Sequence, residues 1–247
     1  MPADTTATPL LEVRGVSCGY GETTIVRDAE LTVGRGETLC LVGPNGHGKS
    51  TLLRAITGLL PLSGGEVRFD GARIDGRAAE KLTELGIVHI PQGDHLFPDL
   101  SVEENLLMGA FPKGAWKGRG EALEQVFARF PKLRDRRRQR ARTLSGGERR
   151  MVAIGRGLMR QPRLLVIDEP SLGLAPVIVE SVYEIIAGVA EQRTTSILLV
   201  EENFTHVEEV ADRVSVLEMG RIVRTGLPAE LADDAAVTQS YLGALPS

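Results

Sequence analysis

Eight residues constrain this chain more than any others: Gly43 to Ser50 read GPNGHGKS. Gly43, Gly48, Lys49 and Ser50 meet the spacing G-x-x-x-x-G-K-[ST]. Glycines at these places let the backbone wrap until its N–H groups point at phosphate oxygens. The preceding TLCLV (38–42) reads as a buried strand, and the following STLLRAITG has helical spacing with a stop at Gly58. A helix beginning there presents its positive end to the same anion. Lys49 is placed to reach the β- and γ-phosphates of a nucleotide, and Ser50 to ligate Mg²⁺. The strand before and the helix after separate this reading from a glycine-rich turn with a chance lysine. His47 falls at a variable position, where mainly the backbone matters, and reads as solvent-facing.

A second apolar stretch ends in acid. Leu164 to Glu169 is LLVIDE, and its almost wholly apolar part suits a parallel strand covered on both faces. Two carboxylates closing a buried strand must be aimed at something, because unpaired buried charge is costly. Beside a phosphate loop, Asp168 would hold the Mg²⁺, directly or through water. Glu169 would polarise the attacking water as general base. Without the loop, a strand end simply becoming solvated would be the better reading.

Leu144 to Glu148 reads LSGGE. Locally this is a capping box, with Ser145 as N-cap and Glu148 three residues on. The functional reading adds that Ser145 and the amides of Gly146 and Gly147 would form a second anion site. One chain cannot easily bring two such sites to one nucleotide, whereas two chains facing head-to-tail can.

The remaining periodicities frame these motifs. LLEVRGVS and AELTV read as short antiparallel strands, GEVRFDGARI as a hairpin through Asp70-Gly71, and VSVLEMGRIVRTG as a hairpin turning near Met219-Gly220. Residues from about Ser101 to Gln161 read mostly helical, as do Pro176 to Gln192, and SILLV (196–200) reads as another buried strand. The pattern predicts an α/β core with antiparallel β at one edge and a helical insertion in the middle. At 247 residues, one compact unit with subdomains is expected. Only 4% of residues are aromatic, so aliphatic side chains must fill the core. The net charge of −4 argues against a general nucleic-acid binder. Cys18 and Cys40 form no CxxC pair, so no zinc site or disulfide framework is implied. Residues 1–8 read as a flexible polar tail without signal-peptide character. No apolar run approaches the roughly 20 residues needed to span a bilayer. A cytosolic chain is expected, reaching any membrane through a partner.

GPNGHGKST, IPQG, LSGGE and LLVIDEP, in that order, together resemble the ATP-binding-cassette (ABC) transporter ATPase subunit. His47, Phe97-Pro98, VEENLLMGAF, Ser171-Leu172-Gly173-Leu174 and the ending YLG look closest to the ATPase subunits of branched-chain amino acid importers and their urea and amide relatives. The resemblance implies a P-loop NTPase α/β core with a mainly parallel sheet, an antiparallel β subdomain and a helical subdomain at about 93–161, all within a single domain at 9–247. It implies ATP and Mg²⁺ as cofactors. The phosphates would lie on Gly43, Pro44, Asn45, Gly46, His47, Gly48, Lys49, Ser50 and Thr51. Tyr20 would stack on adenine, and Gln92 would touch Mg²⁺ and the attacking water and sense the membrane partner. SLGLA (171–175) would be the loop crossing between two subunits.

The implied partners are a second ABC ATPase subunit (identical or related), membrane permease subunits docking near Gln92 to Asn105 and, indirectly, a solute-binding protein. No nucleic acid is implied, and the chain would sit on the inner face of the cell membrane. Two rival functions are a soluble ABC ATPase uncoupled from transport and a slow regulatory cassette that binds but barely cleaves ATP.

The sequence departs from the family at one place. Most such ATPases carry a histidine just after the last core strand, near the γ-phosphate, and here Glu202 holds that position. Two like charges about 4 Å apart at an effective dielectric of about 20 repel by roughly 4 kcal/mol. Glu202 must therefore turn away, pair with a cation or take up a proton. His206, about one helical turn later, is badly placed to substitute. The run RDRRRQRAR from Arg134 to Arg142 lacks neighbouring aromatics to stack bases. It reads as a solvated helix or a partner-facing surface.

Overall fold

Three strands with no exposed residue set the plan of the molecule: β3 (Thr38–Val42), β7 (Leu164–Asp168) and β8 (Ser196–Glu201). The computed structural model describes residues 8–111, 117–202 and 204–232. In it these strands pair in parallel at the centre of a six-stranded sheet of order β10-β9-β3-β8-β7-β6. Also parallel are β6 (Ile87–Ile90) and β9 (Arg213–Glu218), whereas β10 (Arg221–Gly226) returns antiparallel through the Met219-Gly220 turn. The helices are α1 (Lys49–Ile56), α2 (Ala79–Glu84), α3 (Val102–Met108), α4 (Arg119–Arg129), α5 (Pro131–Asp135), α6 (Gly146–Leu158), α7 (Pro176–Ala190) and α8 (Pro228–Ala232).

Strand alternation divides the core. Cys40, Leu165, Ile167, Ile197 and Leu199 point to one face, where they pack with α6 and α7 and with the helical segment through Val126 and Phe127. Leu39, Leu41, Leu164, Val166 and Leu198 point to the other. There they meet Leu52, Leu53 and Ile56 of α1 and a four-stranded antiparallel sheet, β2-β1-β4-β5. That sheet comprises β1 (Leu11–Tyr20), β2 (Thr23–Val33), β4 (Leu62–Phe69) and β5 (Ala72–Arg73). The α/β core with an antiparallel β edge and a helical insertion is thus as the sequence predicts. No helix among the described residues is long and apolar enough to cross a membrane.

Three expectations need correcting. The first two strands are not short: β1 and β2 run 10 and 11 residues. Gly15, at φ 57°, lies where β1 passes through register shifts, and the strand continues beyond them to Tyr20. The arginine run is not one helix, because only its first residues lie in α5, and turns and a 3₁₀ segment (Ala141–Thr143) follow. Its charges are largely answered within the chain: Arg134 pairs with Glu124, Arg136 with Glu148, Arg137 with Glu103 and Arg142 with Asp99. His206 lies in a turn at φ 63°, not on a helix. Most of the predicted tail (1–7) and the YLG ending lie outside the described residues.

Candidate nucleotide site

Parallel register brings the C-terminal ends of the central strands to one edge, with Val42 opposite Glu201 and Asp168 opposite Val200. Sites in α/β sheets form at such edges. From β3 the chain enters the loop 43–48, then α1. Gly48 is the N-cap of α1 at φ 105°, with no side-chain cap and no acidic residue in the first turn. A non-glycine residue at that φ is strained, and a Cβ there would also press on Val26 and Ile25 at 3.1 and 3.2 Å. The first N–H groups of this helix are thus left to an anion arriving from outside the chain.

Lys49 is buried. Its Nζ donates to the carbonyl of Gly43 at 2.6 Å and that of Pro44 at 3.3 Å, and pairs with Glu169 Oε1 at 3.1 Å. Gln92 Nε2 donates to the other carboxylate oxygen of Glu169 at 2.9 Å. Glu169 itself sits at φ 45°, with its N–H bonded to the carbonyl of Val200 at 3.0 Å. Ser50 Oγ donates to Asp168 Oδ1 at 3.3 Å. Burial raises the Asp168 carboxyl above its ordinary range; the Ser50 hydroxyl pulls it down and the Glu169 charge pushes it up.

A buried carboxylate in this state favours a proton or a cation, and the hydroxyl beside it is a second hard oxygen. This small donor set suits Mg²⁺, which keeps several waters and takes phosphate oxygens rather than an all-protein cage.

Lys49, Ser50, Gln92 and Glu169 line a cleft of about 330 Å³ with Tyr20, Ile25, Asn45, Gly46, Gly48 and Thr51, and Asp168 joins it through its bond to Ser50. Tyr20 is 47% exposed, and its hydroxyl accepts from Arg54 at 2.9 Å. Sequence reasoning thus selects residues that the fold gathers: Tyr20, Lys49, Ser50, Gln92, Asp168 and Glu169. His47 needs correction, because it is half-buried rather than solvent-facing. Its Nδ1 accepts from the N–H of Met219 at 3.3 Å and its carbonyl accepts from Gly220 at 3.0 Å, tying the phosphate loop to the β9–β10 turn.

Ser145, Gly146 and Gly147 do not line the cleft. They start α6 with both halves of the capping box formed: Ser145 Oγ accepts from the Glu148 N–H at 3.3 Å, and Glu148 accepts from the Ser145 N–H at 2.8 Å. Gly147 must be glycine for packing, since a Cβ would lie 2.2 Å from Ile178 Cγ2. Gly146 is under no such constraint, its nearest contact being 3.6 Å. Glu202 is exposed and outside the cleft lining. His206 stacks on Tyr183 with ring centroids 5.0 Å apart and bonds Glu209 at 3.1 Å.

Two features escape sequence reasoning. Arginines of α6 grip the stretch after Gln92: Arg149 pairs with Asp94 at 2.9 Å, Arg150 donates to the Gly93 carbonyl at 2.8 Å, and Arg156 donates to the His95 carbonyl at 2.8 Å. The second is Glu201, buried at the end of β8, whose carboxyl burial raises while bonds from Tyr183 and Ser171 pull it down. The signal for it was present, because SILLVE ends an apolar strand in acid just as LLVIDE does.

Known proteins match this arrangement. The family model described as ABC transporter matches residues 26–172. The chain is 40% identical to the high-affinity branched-chain amino acid transport ATP-binding protein BraG of Pseudomonas aeruginosa, over 95% of this chain and 100% of the relative. It is 34% identical to a probable branched-chain amino acid transport ATP-binding protein, LivF, of Archaeoglobus fulgidus, over 95% and 99%. Among solved structures it is similar to the ADP conformation of MJ1267, an ATP-binding cassette of an ABC transporter, at TM-score 0.82 and 28% identity over 96% of this chain and 100% of that one. Sequence, cleft and full-length relatives agree, and the chain belongs to the ABC transporter family of nucleotide-binding cassettes, ATPases whose hydrolysis is coupled to transport.

Proposed function

We propose that this cassette binds Mg-ATP in the cleft and closes head-to-tail on a second cassette, identical or related, to drive a membrane importer for branched-chain amino acids or related small solutes. The observation that carries this reading is the convergence of Lys49, Ser50, Gln92 and Glu169, from three separate segments, on one cleft, with Asp168 bonded to Ser50. The names of the relatives supply the solute class.

In this reading the Tyr20 ring stacks on adenine, and the backbone of residues 43–51 cradles the phosphates. Mg²⁺, held by Ser50, Asp168 and Gln92, would neutralise charge on the phosphate oxygens. Glu169 takes the proton of the attacking water. Lys49, which pairs with that carboxylate, supplies its charge to the phosphates. Gln92 stays on the second oxygen and keeps the base oriented. Catalysis is positional and electrostatic. Ser145, Gly146 and Gly147 of the opposite chain complete the site. Permease subunits dock on the 92–105 segment, where Phe97 is exposed beside Met108, and hold the cassette at the inner membrane face. A solute-binding protein takes part only through them. The slow-cassette alternative rests on Glu202, whose exposed position outside the cleft lining gives it no support.

Glu169→Gln tests the core of this reading. It retains nucleotide binding, accumulates ATP-dependent dimers on size-exclusion chromatography and lowers turnover by about 10²–10⁴-fold, the contribution of a general base. Unchanged turnover removes Glu169 as the base. Stimulation by nucleic acid rather than by permease-containing proteoliposomes moves the chain to the transport-independent class.

A further inference from the structure

We infer that Glu201 is a positioning residue that sets the crossing loop Ser171–Ala175 in register with the phosphate loop. Glu201 is 4% exposed, and neutral donors surround its carboxylate. The Tyr183 hydroxyl donates to Oε1 at 2.6 Å, the Ser171 hydroxyl to Oε2 at 3.0 Å and the Ser171 N–H to Oε1 at 3.4 Å. The N–H of Glu202 adds a bond at 3.3 Å. The main chain of the same residue faces the other way, where its carbonyl accepts from the N–H of Gly43, the first residue of the phosphate loop, at 3.3 Å. One residue therefore holds the start of both loops, one by its backbone and one by its side chain. The adjacent Val200 carbonyl fixes the N–H of Glu169 at 3.0 Å, so the turn carrying the proposed base hangs from the same strand end.

Packing alone does not call for a carboxylate here. Burying one is costly unless its oxygens are bonded, and an apolar or hydroxyl side chain would end the strand more cheaply. The acid matches what it holds, since an ionised carboxylate only accepts and every group around it donates. At its middle the loop is sparsely held, since Leu172 is 45% exposed and Gly173 turns at φ 75° with nothing within 4 Å of a Cβ there. Its other supports are the Leu172 N–H on the Glu169 carbonyl at 3.3 Å and the packing of Leu174 on the core. Among its side-chain hydrogen bonds, those of Ser171 tie it to β8. Ser171 is the loop's point of attachment, and Glu201 is what it is attached to. That the loop meets a second chain rests on the proposed head-to-tail dimer; its attachment does not.

The test uses the full-length chain and two independent readouts. In Glu201→Ala without nucleotide, amide exchange of residues 171–175 rises by about tenfold or more while that of 196–200 stays within about twofold, the pattern of a local release. Turnover falls by about tenfold or more with the KM for ATP and single-chain nucleotide affinity within about threefold of the parent, a loss confined to the closed state. Ser171→Ala reproduces most of both effects, Ser171→Thr recovers most of the turnover that Ser171→Ala loses, and the double variant Glu201→Ala/Ser171→Ala adds little to either single change. Unchanged exchange in 171–175, equal loosening of the whole β8 strand, or losses that multiply in the double variant overturn the inference. Should Glu201→Ala fail to fold, the Ser171 variants and Tyr183→Phe carry the same exchange measurement. A parent chain without ATPase activity sinks the proposed function and leaves the exchange result standing.

Discussion

Helices α1 and α6 both begin at glycine, and the two beginnings are built oppositely. At α1 the fold demands glycine: Gly48 lies at φ 105°, the helix has no side-chain cap, and the nearby Lys49 is buried against Glu169. At α6 the helix satisfies itself through Ser145 and Glu148, yet Gly146 answers to no neighbour closer than 3.6 Å. The first start is incomplete without an anion. The second is complete as a helix and still keeps a bare surface. Glycine at α1 reports a constraint inside the chain, and at α6 room left for something outside it.

Substitutions can break this contrast. The largest effect belongs to Lys49→Ala, which removes the cationic partner of the buried Glu169 and the cation proposed to reach the phosphates. Turnover falls by about 10²–10³-fold, as for loss of a preorganised electrostatic donor, and a filter-binding assay with labelled ATP shows affinity weakened with it. Next comes the glycine pair. Gly48→Ala strains the loop and lowers the melting temperature by several degrees, a backbone penalty of about 1–3 kcal/mol. Gly146→Ala leaves melting within about 2 °C of the parent yet lowers turnover by about tenfold, because in the proposed dimer the lost space matters only when the opposite chain's nucleotide arrives. Equal damage to stability and turnover at both glycines would erase the distinction.

A smaller effect concerns pH. The Glu201 carboxyl is raised above 4.5 in the folded chain. Folding therefore favours its neutral form: this contribution is full below that ordinary value and is lost as pH climbs through the raised one. Melting curves of the nucleotide-free parent should show this decline, and Glu201→Gln should flatten it. The smallest effect is at Glu202, exposed and outside the cleft lining. Glu202→Gln keeps turnover within about twofold of the parent, the ordinary size of a surface change, and a tenfold change would return that carboxylate to the chemistry.

Legibility in the sequence follows the range of the forces involved. The phosphate loop, the capping box and the buried strands are local patterns, so GPNGHGKS, LSGGE and LLVIDE announce themselves. The meeting of Gln92 with Glu169 is not local, and the resemblance to a family supplied it. The arginine run misleads because its meaning is nonlocal: Arg137 looks like free charge until the fold brings it to Glu103. The lengths of β1 and β2 are misread because LLEVRGVS and AELTV are only part of each strand, and pairing between the two carries β1 on to Tyr20 and starts β2 at Thr23. Glu201 was readable as an acid closing a buried strand, whereas its partners Ser171 and Tyr183, 30 and 18 residues away, were not.

The grip of Arg149, Arg150 and Arg156 on residues 93–95 has a mechanical meaning. An α-helix of 13 residues is a stiff rod of about 20 Å. Fastened along its length to the stretch that follows Gln92, α6 makes one lever with it. Ser145 rides on the tip of that lever and Gln92 sits beside its shaft. A push on the 92–105 segment therefore moves the helix tip as it moves the glutamine, and no separate signal need travel between them.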